Sequence, residues 1–499
     1  MFLPLQLGLF VLGSFVAAQP VQDGKEAEYM CLDSNFEAFT NKKIKAHQWT
    51  PCSSNSDIRN LHPSYLRSSS SASTADQPAT SALIDISFKC YHAPRNVCEK
   101  AERAFQKAAD MISSVILFRE PIKVNATLVS FCQMGNECGK NMMTLGGSSP
   151  ARAMPLLNDD GLLRLHPQAL VKQYMLQDHP AFAEYDILSV FNADAPFWFE
   201  EDGLPIDSNQ ADFSFVILHE FMHGLGFYSG WNEYISSRAL TPDPSPFMAN
   251  QLIRMLNPTS TSALHSTQFL ESAMDRLMTV LDYDSSSMTI SPSMSVSDYT
   301  SQLNRIQAVS ISDLTTSPGF AAAKEMGYLA TKAGSLGLDI SPDLDPIVLE
   351  TALQPFQPGS SISHVDYATY TKSPDFLMRF MQDRGLTLAE AIKRGGGTGP
   401  IGPLLLRVFE ELGYSTVNHP NTVPPLLFYQ QQGMTDMVMN ELQSSSHHGL
   451  RRKHQHHHNS VNATSKDGHV YISASSPGAV EHLSFDLLLY FTIFCIIIM

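Results

Sequence analysis

His219, Glu220 and His223 stand together as His-Glu-Phe-Met-His inside an apolar run, and those residue types in that order could hold a metal ion and move a proton beside it. On a helix of about 3.6 residues per turn, side chains four apart project from one face, so both imidazoles can meet one ion. Glu220 follows the first histidine and falls to the side of the ion, where its carboxylate can take a proton from water instead of binding the metal. Without a metal, burying such polar groups would cost roughly 2 to 7 kcal/mol each. Two histidines and one further ligand leave a coordination position open, which suits a catalytic zinc and not a closed structural one.

Gly224 and Gly226 let the helix stop and the chain turn beneath the ion. Three residues after Gly226, where a compact metallopeptidase pattern places its third histidine, this chain has Ser229, a poor zinc ligand at neutral pH. The third ligand must therefore come from further along. Candidates by residue type are His265, Glu271, Asp275, Asp282, Asp284, His364 and Asp366. His265 lies in a Thr/Ser loop, while Glu271 and Asp275 fall on a segment, Leu270 to Leu281, whose apolar spacing predicts a helix with a solvated polar face. His364, in the tight polar loop Gly359-Ser-Ser-Ile-Ser-His-Val-Asp366, is better placed. Beyond it, Asp375-Phe-Leu-Met378 offers a methionine in a turn that could pack as an apolar floor under the imidazoles. Tyr283 and Tyr367 could by type stabilise an oxyanion, although packing is the commoner role for such tyrosines.

The elements that must position these residues read as α+β. Ile84 to Phe88 alternates like a strand, Ala101 to Val115 has helical spacing, and Ile116–Phe118 and Lys123–Phe131 read as short strands. A short helix near His166-Pro167 and a strand at Tyr185–Phe191 follow, then an acidic, turn-rich rim at Phe197–Asn209. The run from Ala211 to Gly226 is a buried helix with Asp212 as its cap. Phe320–Met326 reads as a helix stopped at Gly327, Thr387–Lys393 and Leu404–Leu412 as helices, the last closed by Gly413.

Composition sets the compartment and excludes some partners. A net charge of -16 argues against nucleic acid, which needs an excess of Lys and Arg on one face. Residues 1–18 are apolar and end in small residues, the pattern of a cleaved secretion signal. Six cysteines, Cys31, Cys52, Cys90, Cys98, Cys132 and Cys138, form an even set for an oxidising compartment. The close pairs suggest Cys90/Cys98 and Cys132/Cys138, leaving Cys31/Cys52. Asn125 and Asn462 head glycosylation sequons.

The chain ends in an uncharged run from Leu487 to Met499, shorter than the roughly 20 residues that span a bilayer. Small residues Ser473 and Ser475 precede it across a spacer, the order of a glycolipid-anchor signal. The expected organisation is a signal (1–18), a polar segment or propeptide unable to order itself (19–80), an N-terminal catalytic subdomain (81–228), an insertion (229–345), a C-terminal catalytic subdomain (346–435), a Ser/His-rich stalk (436–475) and a removed anchor signal (476–499). The expected location is the cell surface, held to the plasma membrane or wall by the lipid.

His219 to Gly226, the distant Ser-Ser-Ile-Ser-His ending at His364, the Phe376-Leu-Met378 segment and the helix ending in Leu412-Gly413-Tyr414 resemble leishmanolysin-type metallopeptidases, across residues 100 to 415. The resemblance implies a metzincin-like zincin domain, with a twisted mixed sheet, an active-site helix and a mainly helical C-terminal subdomain. It implies His219, His223 and His364 as ligands of one catalytic Zn2+, Glu220 as general base and Met378 as the Met-turn residue. The implied reaction is hydrolysis of peptide bonds in protein or peptide substrates, through a zinc-bound water. A silent adhesion or wall protein on the same fold, or a zinc hydrolase acting on another bond, are the competing readings.

Overall fold

The structure, a computed structural model, describes residues 29–35, 47–52, 83–133, 143–176, 179–255, 264, 267–284, 286, 289–422, 427–429 and 494–498. The leader, Cys138, His265, the stalk, Asn462, Ser473 and Ser475 lie outside the described residues.

Part of the span expected to be unordered forms a hairpin. Strands β1 (Tyr29–Ser34) and β2 (His47–Cys52) pair antiparallel and are joined by the disulfide Cys31–Cys52. Both sulfurs are buried, and Arg152 grips Asp33 with Nε and Nη2 at 2.6 and 2.7 Å. A covalent staple and a bidentate ion pair supply what the polar composition could not.

The elements expected near Ile84, Ala101, Ile116, Lys123, His166 and Tyr185 are present, and three further strands, between residues 143 and 167, lie among them. β3 (Ile84–Cys90), α1 (Arg95–Ser113), β4 (Ile116–Leu117) and β5 (Ile122–Val129) come first. Then β6 (Met143–Pro150), β7 (Arg152–Asn158), β8 (Leu163–Pro167), α2 (Gln168–Tyr174) and β9 (Ile187–Asn192) complete this half. β3, β5 and β9 run parallel, with β5 in the middle and β6 antiparallel beside β9. Disulfide Cys90–Cys98 ties β3 to α1, and Cys132 is also disulfide-bonded. Asn125 sits on the central strand β5, paired with Ser87 and Leu188, and its Oδ1 is buried.

Short strands β10 (Phe197–Trp198) and β11 (Ala211–Asp212) lead into α3 (Phe213–Leu225), buried along its whole length. Phe105 of α1 lies 5.0 Å from Phe191 of β9, and 5.6 and 6.1 Å from Phe213 and Phe221 of α3, ring centre to ring centre. This aromatic cluster holds the helix against the sheet; each such side chain buries about 150–250 Å². Asp212 caps α3, accepting from the amides of Ser214 and Phe215 at 2.9 and 3.4 Å.

The described residues between 229 and 348 include a sheet of their own. They hold β12 (Asn232–Ser236), β13 (Ala239–Thr241), β14 (Asp243–Pro244), α4 (Pro246–Met255), β15 (Phe269–Ser272), β16 (Met278–Asp284) and β17 (Thr289–Ser295). They continue through α5 (Ser297–Leu303), α6 (Ile311–Thr316), α7 (Ala321–Leu329), β18 (Leu336–Leu338) and β19 (Ile347–Val348). Strands β17, β16, β18 and β19 form a four-stranded sheet. The expected helix over Leu270–Leu281 is overturned: the segment is β15, one 3-10 turn and the start of β16. Tertiary pairing wins over spacing there, because β15 docks parallel to β8 and buries Glu271 against Arg164, Oε2 to Nε 2.8 Å. Helix α7 runs through Gly327 to Leu329, two residues past the expected stop.

The last block is mainly helical, as expected. It contains α8 (Tyr367–Tyr370), α9 (Leu388–Gly395) and α10 (Pro403–Leu412), then β20 (Ser415–Thr416), β21 (Leu427–Tyr429) and β22 (Phe494–Ile498). Thr387 and Glu390 make a reciprocal capping box at the start of α9. The architecture is α+β and zincin-like, with an active-site helix under a mixed sheet. No helix of the described residues is long and apolar enough to cross a membrane.

Candidate metal centre

Helix α3 carries the first two imidazoles because its local sequence leaves few alternatives. Asp212 starts it, and Gly226, at φ 122°, ends it in a backbone conformation that a Cβ would oppose. Gly224 is needed for approach: a Cβ there would fall 2.4 Å from Ile187 of β9. The helix can press onto the sheet at that point, and His219 and His223 then share its remaining face.

His364 arrives from a loop braced on both sides. The Glu350 amide donates to the His364 carbonyl at 2.8 Å, and the Ile362 amide to the Glu350 carbonyl at 2.8 Å. Ile362 is buried at φ 55°, a strained conformation for a β-branched residue. The amide of Ser229, at the position where a third histidine was missing, donates to Ser363 Oγ at 3.1 Å. The turn after α3 and the loop before His364 are therefore one hydrogen-bonded unit. Its far side is Asp275, whose Oδ2 accepts from the amides of Gly230 and Ser272 at 2.9 and 2.8 Å.

The three imidazoles converge. Their Nε2 atoms lie 3.1 Å (His219 to His364), 3.1 Å (His223 to His219) and 3.2 Å (His223 to His364) apart. Each Nδ1 faces a main-chain carbonyl: Leu377 for His219 at 2.7 Å, Phe227 for His223 at 2.7 Å and Ser360 for His364 at 2.9 Å. A carbonyl can only accept, so every Nδ1 carries the proton and donates, leaving each neutral ring's Nε2 as a lone pair. Burial pushes His219 down to about 4, with Arg379's charge adding to it against the Leu377 hydrogen bond. Burial, then the neighbouring imidazoles, holds His223 and His364 well below the usual histidine range.

Three lone pairs aimed at one point repel unless a cation sits among them. A tetrahedral zinc with bonds of about 2.0–2.1 Å needs its nitrogens roughly 3.3 Å apart, close to the spacing here. The donor set fits one Zn2+, and it is the one group of three or more His, Cys, Asp or Glu side chains among the described residues arranged to hold a metal. Main-chain carbonyls that fix each tautomer are what a metal-binding histidine requires.

The remaining candidates go elsewhere. Glu220 is fully buried on α3 beside the triad. Met378 is fully buried in the turn Phe376–Met378, whose Leu377 carbonyl holds His219 and whose Met378 carbonyl accepts from Val365 N at 2.9 Å. Asp282, Asp284 and Tyr283 are exposed on β16, and Asp366 caps α8. Tyr367 is tied to Asp383 and stacks under Arg379. Glu271 and Asp275 are not solvated but fully buried, and neither joins the triad. Asp275 and Arg164 are structural keys that sequence patterns could not show, since their partners come from distant strands.

Residues 31–447 match the sequence pattern of the SPBPB7E8-like family. The chain belongs to that family. A protein of Schizosaccharomyces pombe (strain 972 / ATCC 24843) called uncharacterized protein PB7E8.01 is 28% identical over 450 residues, covering 79% of this chain and 78% of the other. No solved structure gives a significant match. The histidine triad therefore carries the functional reading of this SPBPB7E8-like chain: a His-Glu-x-x-His helix with a distant third histidine is the metzincin-type zinc signature.

Proposed function

We infer that this chain is a zinc-dependent endopeptidase, and the observation that carries the inference is the meeting of three deprotonated Nε2 atoms beside a buried glutamate. Zinc held there supplies Lewis-acid chemistry, polarising a carbonyl and bringing a water's pKa toward about 7. Glu220, one residue after the first ligand, accepts the proton of the attacking water and passes it to the leaving amine. The carbonyls of Leu377, Phe227 and Ser360 hold the three rings in one tautomer throughout. The apolar walls of α3, including Phe215, Val216 and Met222, exclude bulk water and strengthen these electrostatic effects.

Secretion and surface anchoring are part of the proposal. Disulfides Cys31–Cys52 and Cys90–Cys98 support an oxidising compartment, and the small-residue site followed by an apolar end supports a lipid anchor. Release from membranes by a phosphatidylinositol-specific phospholipase tests the anchor. A diverse peptide library, cleaved with and without a zinc chelator, tests the activity. Chelator-sensitive cleavage is expected; one bound zinc with no cleavage in a chain freed of its C-terminal segment would overturn it.

A further inference from the structure

His219, Glu220, His223 and His364 expose no surface at all. In that state the Glu220 carboxylate has no surface open to a peptide bond. Strand β22 pairs antiparallel with the outer side of β6, from Phe494 opposite Ser148 to Ile498 opposite Met143, and lies against α3.

The edge it covers is built to be paired. β6 is an eight-residue strand bonded to β9 on its other side, and Met143 to Ser149 contain no charge and no proline. Exposed edges usually carry Lys, Pro or a bulge to stop further pairing. An uncharged edge next to the active-site helix invites an occupant, and among the described residues the occupant is Phe494–Ile498, paired with one register irregularity between Ile496 and Ile497.

We propose that the C-terminal segment Phe494–Ile498 is an intramolecular inhibitor, docked as an added strand on β6, and that its departure opens the site to extended peptides. The proposal rests on the peptidase reading for its consequence, but not for the docking itself. Five residues pair weakly on their own. Held in the same chain they enjoy a high effective concentration, which is lost when the connection is cut. Removal of the segment would then convert a latent chain into an active one.

The test uses the zinc-loaded full chain with a site-specific protease sequence inserted after Ser475, and in parallel the double substitution Cys495→Pro and Ile496→Pro, which takes an amide from each side of the strand without shortening the chain. Hydrogen exchange at β6 amides and cleavage of a peptide library are read in both. Exchange at Met143–Ser148 should rise about tenfold or more on cutting and in the double variant, with a comparable gain in peptide cleavage. Unchanged exchange in both would overturn the docking. Raised exchange with the same measurable cleavage rate before and after would overturn the inhibition. Raised exchange with no cleavage in any form would leave the docking standing and overturn the peptidase reading instead.

Discussion

His219 and Leu377 are 158 positions apart in the chain and meet at 2.7 Å, the imidazole Nδ1 donating to the main-chain carbonyl. The adjacent carbonyl of Met378 accepts from Val365, next to His364. One turn therefore sets the proton on the first ligand and the path of the third. Replacing His364 by Ala should leave the fold intact but weaken zinc binding by more than about 100-fold, beyond what loss of an outer hydrogen bond brings. Zinc titration followed by metal analysis of the desalted protein checks this; retention of a full equivalent would remove His364 from the ligand set.

Glu220→Gln keeps the shape of the side chain and removes its capacity to take a proton. Zinc content should be unchanged. Peptide cleavage by the opened chain should fall roughly 10²–10⁴-fold, the contribution of a positioned general base. Equal turnover in the two proteins would assign the base elsewhere.

Asp212 serves two helices with one carboxylate: Oδ1 caps α3, and Oδ2 accepts from Leu388 N of α9 at 2.8 Å. Asp212→Ala should cost about 0.5–2 kcal/mol for the cap alone, and more because Leu388 N is left buried without its acceptor. Denaturant unfolding of the zinc-free protein measures the loss. A change below the lower figure would show that neither helix depends on it.

Burial, reinforced by Glu271, raises Asp275 to about 7 from its ordinary 3.8. The folded chain binds this proton more tightly than the unfolded one, so the contribution is full below pH about 4 and is lost as pH rises through about 7. Asp275→Asn keeps an acceptor for the Gly230 and Ser272 amides while abolishing the titration. Its stability relative to the parent should therefore increase with pH across that window, as read by urea midpoints at several pH values. A constant difference would exclude Asp275 as a titrating group.

The site was more legible in the sequence than its support. His219, Glu220 and His223 declare themselves because helical spacing is local, and His364 stands out as a histidine in a tight loop before a buried methionine turn. The strands from Ile84 to Val129 were equally plain, since alternation and helical period were unmixed there. Around Glu271 the same logic failed. Phe269, Leu270, Ala273, Met274 and Leu277 have helical spacing, yet the segment is set by β15 lying beside β8 and by Arg164 reaching Glu271 and Asp160. The hairpin at Tyr29–Cys52 was hidden for a related reason, because its order comes from a disulfide and from Arg152, not from its own apolar content. Residues whose partners lie a hundred positions away leave no local trace.

The path from Ser229 back to Ser363 also bears on the order in which the chain is made. When synthesis has passed α3, two imidazoles exist and the third does not; the insertion must first fold and return. Until His364 and the Phe376–Met378 turn emerge, the young polypeptide has neither a complete metal site nor the carbonyl that sets the tautomer of His219. A complete metal site thus comes late in biosynthesis.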